Sequence, residues 1–192
     1  MDHLILVDSV KPVPADNAPK LVRCGEVLLE EETACNFMEM IAASRSEGIE
    51  LRAFSGYRSA EYQQQLFMQS VHEYMGEGMT EAEARSLTAR YIAKPGHSEH
   101  QTGLACDICH SDKDDADESF AASPEGIWLH DNACRYGFIL RYPRMKEHIT
   151  GIAYEPWHYR FVGKKHAEII MRRGMTLEEY LYYYWFENRS RY

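Results

Sequence analysis

The sequence has no excess of positive charge: 21 lysines and arginines stand against 30 aspartates and glutamates, for a net charge of -9. Without a basic stripe to neutralise phosphates, nucleic acid is not an expected partner. Long apolar runs are also missing. Leu4–Val7 and the stretch from Tyr180 to Phe186 both fall far short of the roughly 20 residues that a membrane helix requires. The N-terminus carries no basic region ahead of its short apolar run, so neither a signal peptide nor a membrane span is expected. Cysteine is sparse. Cys24, Cys35, Cys106, Cys109 and Cys134 are odd in number and irregularly spaced, which argues for reduced thiols in a cytoplasmic protein. Repeats, low-complexity tracts and internal linkers are absent as well. With 45% hydrophobic and 12% aromatic residues, residues 1–192 read as a single domain with its own core.

What is present divides into short strands and helices. Leu4 to Val7 reads as a strand, followed by a loop punctuated by Pro12, Pro14 and Pro19. From Leu28 to Ser46 apolar residues recur at helical spacing, and Gly48 stops the helix. Ile49 to Phe54 alternates as a half-buried strand. Ser59 caps a helix reaching about Met75, and Thr80 with Glu83 forms a capping box for another running toward Ala93. Leu104 to Cys109, Phe138 to Tyr142 and Tyr154 to Val162 read as strands. Ser123-Pro124 opens a helix that Gly137 closes, and Thr176 with Glu179 caps a last one. Helices at the front and end, with strands between them, predict an α+β fold: a small antiparallel β-sheet with flanking helices.

Asp107 lies inside an otherwise apolar strand. Alternation places it with Ala105 and Cys109, and sends Leu104, Cys106 and Ile108 to the other face. Both faces read as buried, so an unpaired carboxylate there would cost several kcal/mol. A metal ion would offset that cost, with His100 across the Gly103 turn as a second ligand. A His–Asp hydrogen bond or an Asp–Arg pair inside the core would offset it too.

In Tyr154-Glu155-Pro156-Trp157-His158-Tyr159-Arg160-Phe161-Val162, alternation separates His158, Arg160 and Val162 from Trp157, Tyr159 and Phe161. Pro156 allows a turn that brings Glu155 round to the side of His158, and it forbids the helix of a two-histidine zinc-protease motif. A His, Asp, His ligand set leaves a fourth position for water, as catalytic rather than structural zinc sites do, and Glu155 is then the base. The remaining candidates read as structural. Cys106 and Cys109 have no second pair at zinc-ribbon spacing and are expected to be buried thiols. His97, His110 and His130 read as solvated loop histidines, with tuning of the site as the alternative, and surface or capping roles suffice for His3, His72, His148 and His166. Arg141 and Arg160 are strand residues that could pair with Asp107 or Glu155. The acidic stretch from His110 to Ser119 is a solvent-facing loop or a lid.

The motif Ser98-x-His100-x-x-Gly103-x-Ala105-x-Asp107, the element Glu155-x-Trp157-His158, the pentapeptide Ser55 to Ser59 and the run from Tyr136 to Pro143 together resemble one family. It is that of the zinc D,D-peptidases of vancomycin resistance, related to zinc D-alanyl-D-alanine carboxypeptidases and structurally to Hedgehog signalling domains. The resemblance spans nearly the whole chain and implies the Hedgehog/DD-peptidase fold. It implies one Zn2+ per chain on His100, Asp107 and His158, with Glu155 moving the proton and Arg58 sharing the oxyanion. It also implies that Ser98 and Gln63 bind the substrate's terminal carboxylate, while Trp157 is placed to wall a pocket sized for a methyl group. The compact length and missing leader are most similar to the cytoplasmic bifunctional VanXY type. The implied function is hydrolysis of D-Ala-D-Ala and removal of C-terminal D-Ala from peptidoglycan precursors, in glycopeptide resistance. An L,D- or strict D,D-carboxypeptidase acting on cell-wall stem peptides and a catalytically silent zinc-binding module are the alternatives.

Overall fold

The computed structural model describes residues 2–110 and 117–189. Its first regular element is a hairpin of β1 (Leu21–Cys24) and β2 (Val27–Glu30), turning at Gly25 with φ 61°. The sequence pattern had placed Leu28 and Leu29 in the first helix. They lie in β2 instead, because Val22 and Arg23 pair with them, and helix α1 begins at Glu31 and runs to Ser46. The Glu30 side chain caps that helix by accepting from the amides of Glu32 and Thr33. The expected strand over Leu4–Val7 does not form: Leu4 lies in a turn, with Ile5 N donating to Asp2 O, and residues 5–7 have no strand partner among the described residues. The segment is fixed as an arm by other contacts, including Val13 N donating to Gly96 O at 2.8 Å.

Strand β3 (Leu51–Ser55) leads into α2 (Ala60–Gly76), capped by Ser59, and α3 (Glu81–Thr88) starts at the Thr80/Glu83 capping box. Then come β4 (Ala105–His110), α4 (Pro124–Asn132), β5 (Phe138–Leu140) and the short α5 (Glu147–Thr150). Strand β6 covers only His158–Phe161, because the chain turns at Pro156-Trp157 just before it. Two helices close the chain: α6 (Lys164–Arg173), not anticipated, and α7 (Leu177–Arg189), which carries the Thr176/Glu179 cap. Part of the acidic stretch, residues 111–116, lies outside the described residues.

Among the described residues, the central sheet has the order β3-β4-β6-β5, antiparallel throughout. One face packs Leu104, Cys106, Ile108, Phe138, Tyr159 and Phe161 against Phe37 and Met40 of α1 and Trp128 and Leu129 of α4. Each large side chain buried there stabilises the fold by about 1.5–3 kcal/mol. A second cluster joins Ile139 and Val162 to Ala167 and Ile170 of α6 and to Leu177 and Tyr180 of α7. Cys106 and Cys109 are buried thiols outside any disulfide, as expected. What matters for chemistry is the register, because Asp107 pairs with His158 on one side and with Ser55 on the other. Three side chains that lie far apart in sequence are thereby brought side by side.

Candidate metal centre and catalytic cleft

His100 and Asp107 reach the site by different routes. His100 sits on a 3₁₀ turn (Glu99–Thr102) ended by Gly103 at φ 71°, where a Cβ would stand 2.9 Å from the backbone nitrogen of Glu30. Only glycine fits both that conformation and that contact. Asp107 projects from β4, and His158 faces it from β6 across a directly opposed pair. One donor atom from each of the three lies within 4.8 Å of the others, and all three residues are buried.

The hydrogen bonds around the two imidazoles decide which nitrogens are free. His100 Nδ1 is 2.7 Å from the Gly56 carbonyl, an acceptor only, so Nδ1 carries the hydrogen and Nε2 turns its lone pair toward Asp107 Oδ2 at 3.2 Å. For His158, Nε2 faces Glu99 Oε2 at 3.4 Å and Nδ1 faces Asp107 Oδ1 at 2.9 Å. Nε2 of one ring, Nδ1 of the other and a carboxylate thus converge. Two nitrogens and an oxygen, backed by partners on the outer ring nitrogens, form a donor set that suits zinc and leaves a coordination position open.

Charges around this set are strongly shifted. Burial opposes ionisation of Asp107, but His100 and Arg58 hold its carboxyl well below the usual carboxylate range. Burial, helped by the nearby Arg58, lowers His100 to about 4. In His158 burial works against the charge, but hydrogen bonds to Asp107 and Glu99 outweigh it and raise the ring to about 9. Burial raises Glu155 to about 8, with Asp107 adding to the shift and His158 opposing it. Glu155 stands 3.8 Å from His158 Nδ1, brought there by a turn in which His158 N donates to Glu155 O. The turn at Pro156 therefore places both side chains on one side.

Arg58 is held at three points. Its Nε donates to Ser55 Oγ at 2.8 Å, and its two terminal nitrogens donate to Gln63 Oε1 at 3.3 Å and Asp107 Oδ2 at 2.5 Å. Gln63, expected to contact substrate, is buried yet lines the cleft; its amide donates to Ala93 O at 2.8 Å and its oxygen accepts from Arg58. Ser98 is buried at the cleft wall, and its hydroxyl has no protein partner among the described residues. Trp157 is half-buried and lines the same cleft, a cavity of about 710 Å³ that also includes Tyr57, Tyr62, Tyr91 and Ile152.

Two residues at the site were not singled out from sequence. The Tyr142 ring lies 4.8 Å from that of His158, and Glu99 joins the back of His158 to Arg141 and Arg160. The two arginines read from the sequence as structural residues for which Asp107 or Glu155 were possible partners. They meet Glu99 instead, because they sit behind His158 rather than in the cleft. Arg160 in β6 and Arg141 just past β5 are two buried cations that demand a carboxylate, but that demand does not single out Glu99. His97 also departs from expectation: Nδ1 lies 2.7 Å from Asp8 O and ties down the N-terminal arm. His3 packs edge-on against Phe161, and His166 hydrogen-bonds the Tyr180 hydroxyl at 2.7 Å.

A His, Asp, His donor set beside a buried carboxylate and a fixed arginine is the arrangement of a metal-dependent hydrolase. Comparison with known proteins refines that class. The D-alanyl-D-alanine carboxypeptidase family VanY matches residues 26–164. YodJ of Bacillus subtilis, a putative carboxypeptidase, is 44% identical over 153 residues, 79% of this chain and 53% of its own length. The bifunctional D-Ala-D-Ala dipeptidase and carboxypeptidase VanXYC of Enterococcus gallinarum is 37% identical over 188 residues, covering 94% of both chains. Among solved structures, a point mutant of the vancomycin-resistance D,D-pentapeptidase VanY, in complex with Zn(II), superposes with TM-score 0.86 at 37% identity. That match covers 94% of this chain and 99% of the other. The LdcB LD-carboxypeptidase superposes at 0.78 with 38% identity, over 92% and 84%. The chain belongs to the VanY D-alanyl-D-alanine carboxypeptidase family, and the α+β reading of its fold holds. It spans only 53% and 65% of the length of two of its curated relatives. Among the described residues, no helix is long and apolar enough to cross a membrane.

Proposed function

We propose that this chain is a zinc D,D-peptidase that hydrolyses D-Ala-D-Ala and removes the C-terminal D-Ala of peptidoglycan precursor pentapeptides, in the setting of glycopeptide resistance. The observation that carries this reading is the position of Glu155. It is a buried carboxyl outside the donor triad but only 3.8 Å from one of its nitrogens, raised to about 8 by burial and so suited to exchanging a proton near neutral pH.

Bound to His100, Asp107 and His158, zinc supplies Lewis-acid activation of water and of the scissile carbonyl. Glu155 takes the proton from the attacking water and returns it to the leaving amine. Arg58, fixed by Ser55, Gln63 and Asp107, presents its guanidinium to the oxyanion without having to reorganise. The free Ser98 hydroxyl donates to the terminal carboxylate of the peptide, Gln63 serves that subsite through Arg58, and Trp157 bounds the space for the D-Ala methyl group. Five unbridged cysteines support a cytoplasmic location, where precursor peptides are made.

The similarity to LdcB supports an L,D-carboxypeptidase as a second reading. Turnover by the zinc-loaded protein of D-Ala-D-Ala, of a pentapeptide ending in D-Ala-D-Ala, and of a tetrapeptide ending in an L,D bond separates the two. Cleavage of the first two is expected. Cleavage of the tetrapeptide alone would favour the L,D reading, and a folded, zinc-loaded protein inert on all three would refute both.

A further inference from the structure

A second cluster of buried charge adjoins the cleft, which Glu99 helps to line while Arg141 and Arg160 stand behind it. Glu99, Arg141 and Arg160 all have side chains with 0% exposure. Glu99 Oε1 accepts from Arg141 Nε at 2.8 Å and from Arg160 at 2.7 Å. Every remaining guanidinium nitrogen is also engaged. Arg141 forks onto Glu178 of α7 at 3.0 and 2.7 Å, and Arg160 donates to the carbonyls of Phe161, His3 and Ile5 at 3.1, 3.1 and 2.8 Å. Both arginines are therefore immobilised, one by the C-terminal helix and one by the N-terminal arm, and together they claim a single oxygen of Glu99. The other oxygen, Oε2, faces Nε2 of His158.

We infer that Glu99 is a positioning residue for His158: its Oε2 accepts the Nε2 hydrogen and so leaves Nδ1 as the nitrogen that binds metal. This rests on the zinc reading of the site. An ion-pair cluster serving packing alone would gain little over apolar side chains of similar volume, because taking these charges out of water costs about as much as their attraction returns. The clamp instead gives His158 a fixed acceptor on its outer nitrogen, as metal-binding histidines commonly require.

Glu99→Gln tests it. The amide oxygen would be taken by the two guanidinium groups, so the amide NH2 would face Nε2, donor against donor. His158 would then shift its hydrogen to Nδ1, the nitrogen needed by the metal. Zinc affinity, measured by chelator competition, is expected to fall by roughly 10–100-fold, and the visible spectrum of the cobalt-substituted protein is expected to change. If Glu99→Gln does not fold, Glu99→Asp keeps the charge facing the arginines but shortens the reach to His158, and it carries the same expectation. Wild-type zinc affinity with an unchanged cobalt spectrum in either folded variant overturns the inference alone. A wild-type protein that takes up no zinc overturns the reading of the site, and this inference with it.

Discussion

Asp107 and His158 occupy directly opposed positions on neighbouring antiparallel strands, with Asp107 Oδ1 2.9 Å from His158 Nδ1. Cross-strand geometry rather than a flexible loop therefore sets this pair, and a one-residue register slip would send the two side chains to opposite faces. Ser55 on the third strand pairs with Asp107 from the other side and hydrogen-bonds Arg58, so the arginine is aligned by the same sheet.

Glu155→Gln isolates proton transfer from metal binding. The amide matches the carboxyl in shape but cannot take a proton, and Glu155 is not one of the three clustered donors. Zinc stoichiometry is expected to stay near that of wild type while kcat falls by roughly 10²–10⁴-fold. Metal analysis and steady-state kinetics on one preparation check this, and a variant retaining a tenth or more of wild-type kcat would remove Glu155 from the base role.

Arg58→Lys keeps the charge and discards the fork. A lysine cannot reach Ser55, Gln63 and Asp107 in the planar arrangement that the guanidinium holds. The expected loss is roughly 10²–10³-fold in kcat, the scale found for removing one oxyanion donor, with a smaller change in KM and little change in melting temperature. A rise in KM at constant kcat would instead make Arg58 a ground-state binding residue.

Much of this site could be read from the sequence, for reasons specific to its residues. Asp107 stood out because a carboxylate inside an apolar strand needs a partner, and Glu155 because Pro156 breaks the strand in front of His158. Glu99 was not legible. An acidic residue beside a histidine in a turn reads as solvent-facing, and its burial is dictated by Arg141 and Arg160, 42 and 61 positions away. The β1–β2 hairpin was hidden for a local reason, since Leu28 and Leu29 continue the helical spacing of α1 and only pairing with Val22 and Arg23 draws them into a strand. Helix α6 escaped notice because only Ala167 and Ile170 of its ten residues are fully buried.

The shifted groups predict how the metal-free protein responds to pH. Glu155 rises from an ordinary 4.5 to about 8, through burial, and His158 from 6.5 to about 9, where hydrogen bonds to Asp107 and Glu99 outweigh burial. Both hold their protons more tightly in the folded state. The stability they contribute is complete below their ordinary values and is lost as pH rises toward 8 and 9. His100, lowered to about 4 by burial and then by Arg58, has the opposite sign, and its contribution is lost as pH falls from 6.5 toward 4. Calorimetry in chelator is therefore expected to show Tm falling between pH 6.5 and 9. Zinc should reduce that decline, because it replaces the proton on His158 and leaves only the Glu155 contribution. A flat Tm across this window in the metal-free protein would contradict the assignment.

Gly56→Ala tests whether the backbone behind His100 matters as much as the ligands. The Gly56 carbonyl fixes the His100 ring at 2.7 Å, and the hairpin packs so closely that a Cβ on residue 56 would lie 2.5 Å from Leu28 O and 2.9 Å from the Val27 Cβ. Neither neighbour can yield cheaply. Leu28 O already accepts from Tyr57 N at 2.7 Å, and Val27 is part of the core. The added methyl group must push the Ser55–Arg58 segment away from the hairpin, moving the carbonyl that orients His100 and the start of the loop that carries Arg58. Destabilisation of about 1–3 kcal/mol is expected from the overpacking alone. Because the displaced atom orients a ligand, zinc affinity should fall as well, by roughly tenfold or more. Urea unfolding of the metal-free protein measures the first effect and chelator competition the second. A variant that lost stability but bound zinc like wild type would show that the Gly56 carbonyl is not what orients His100.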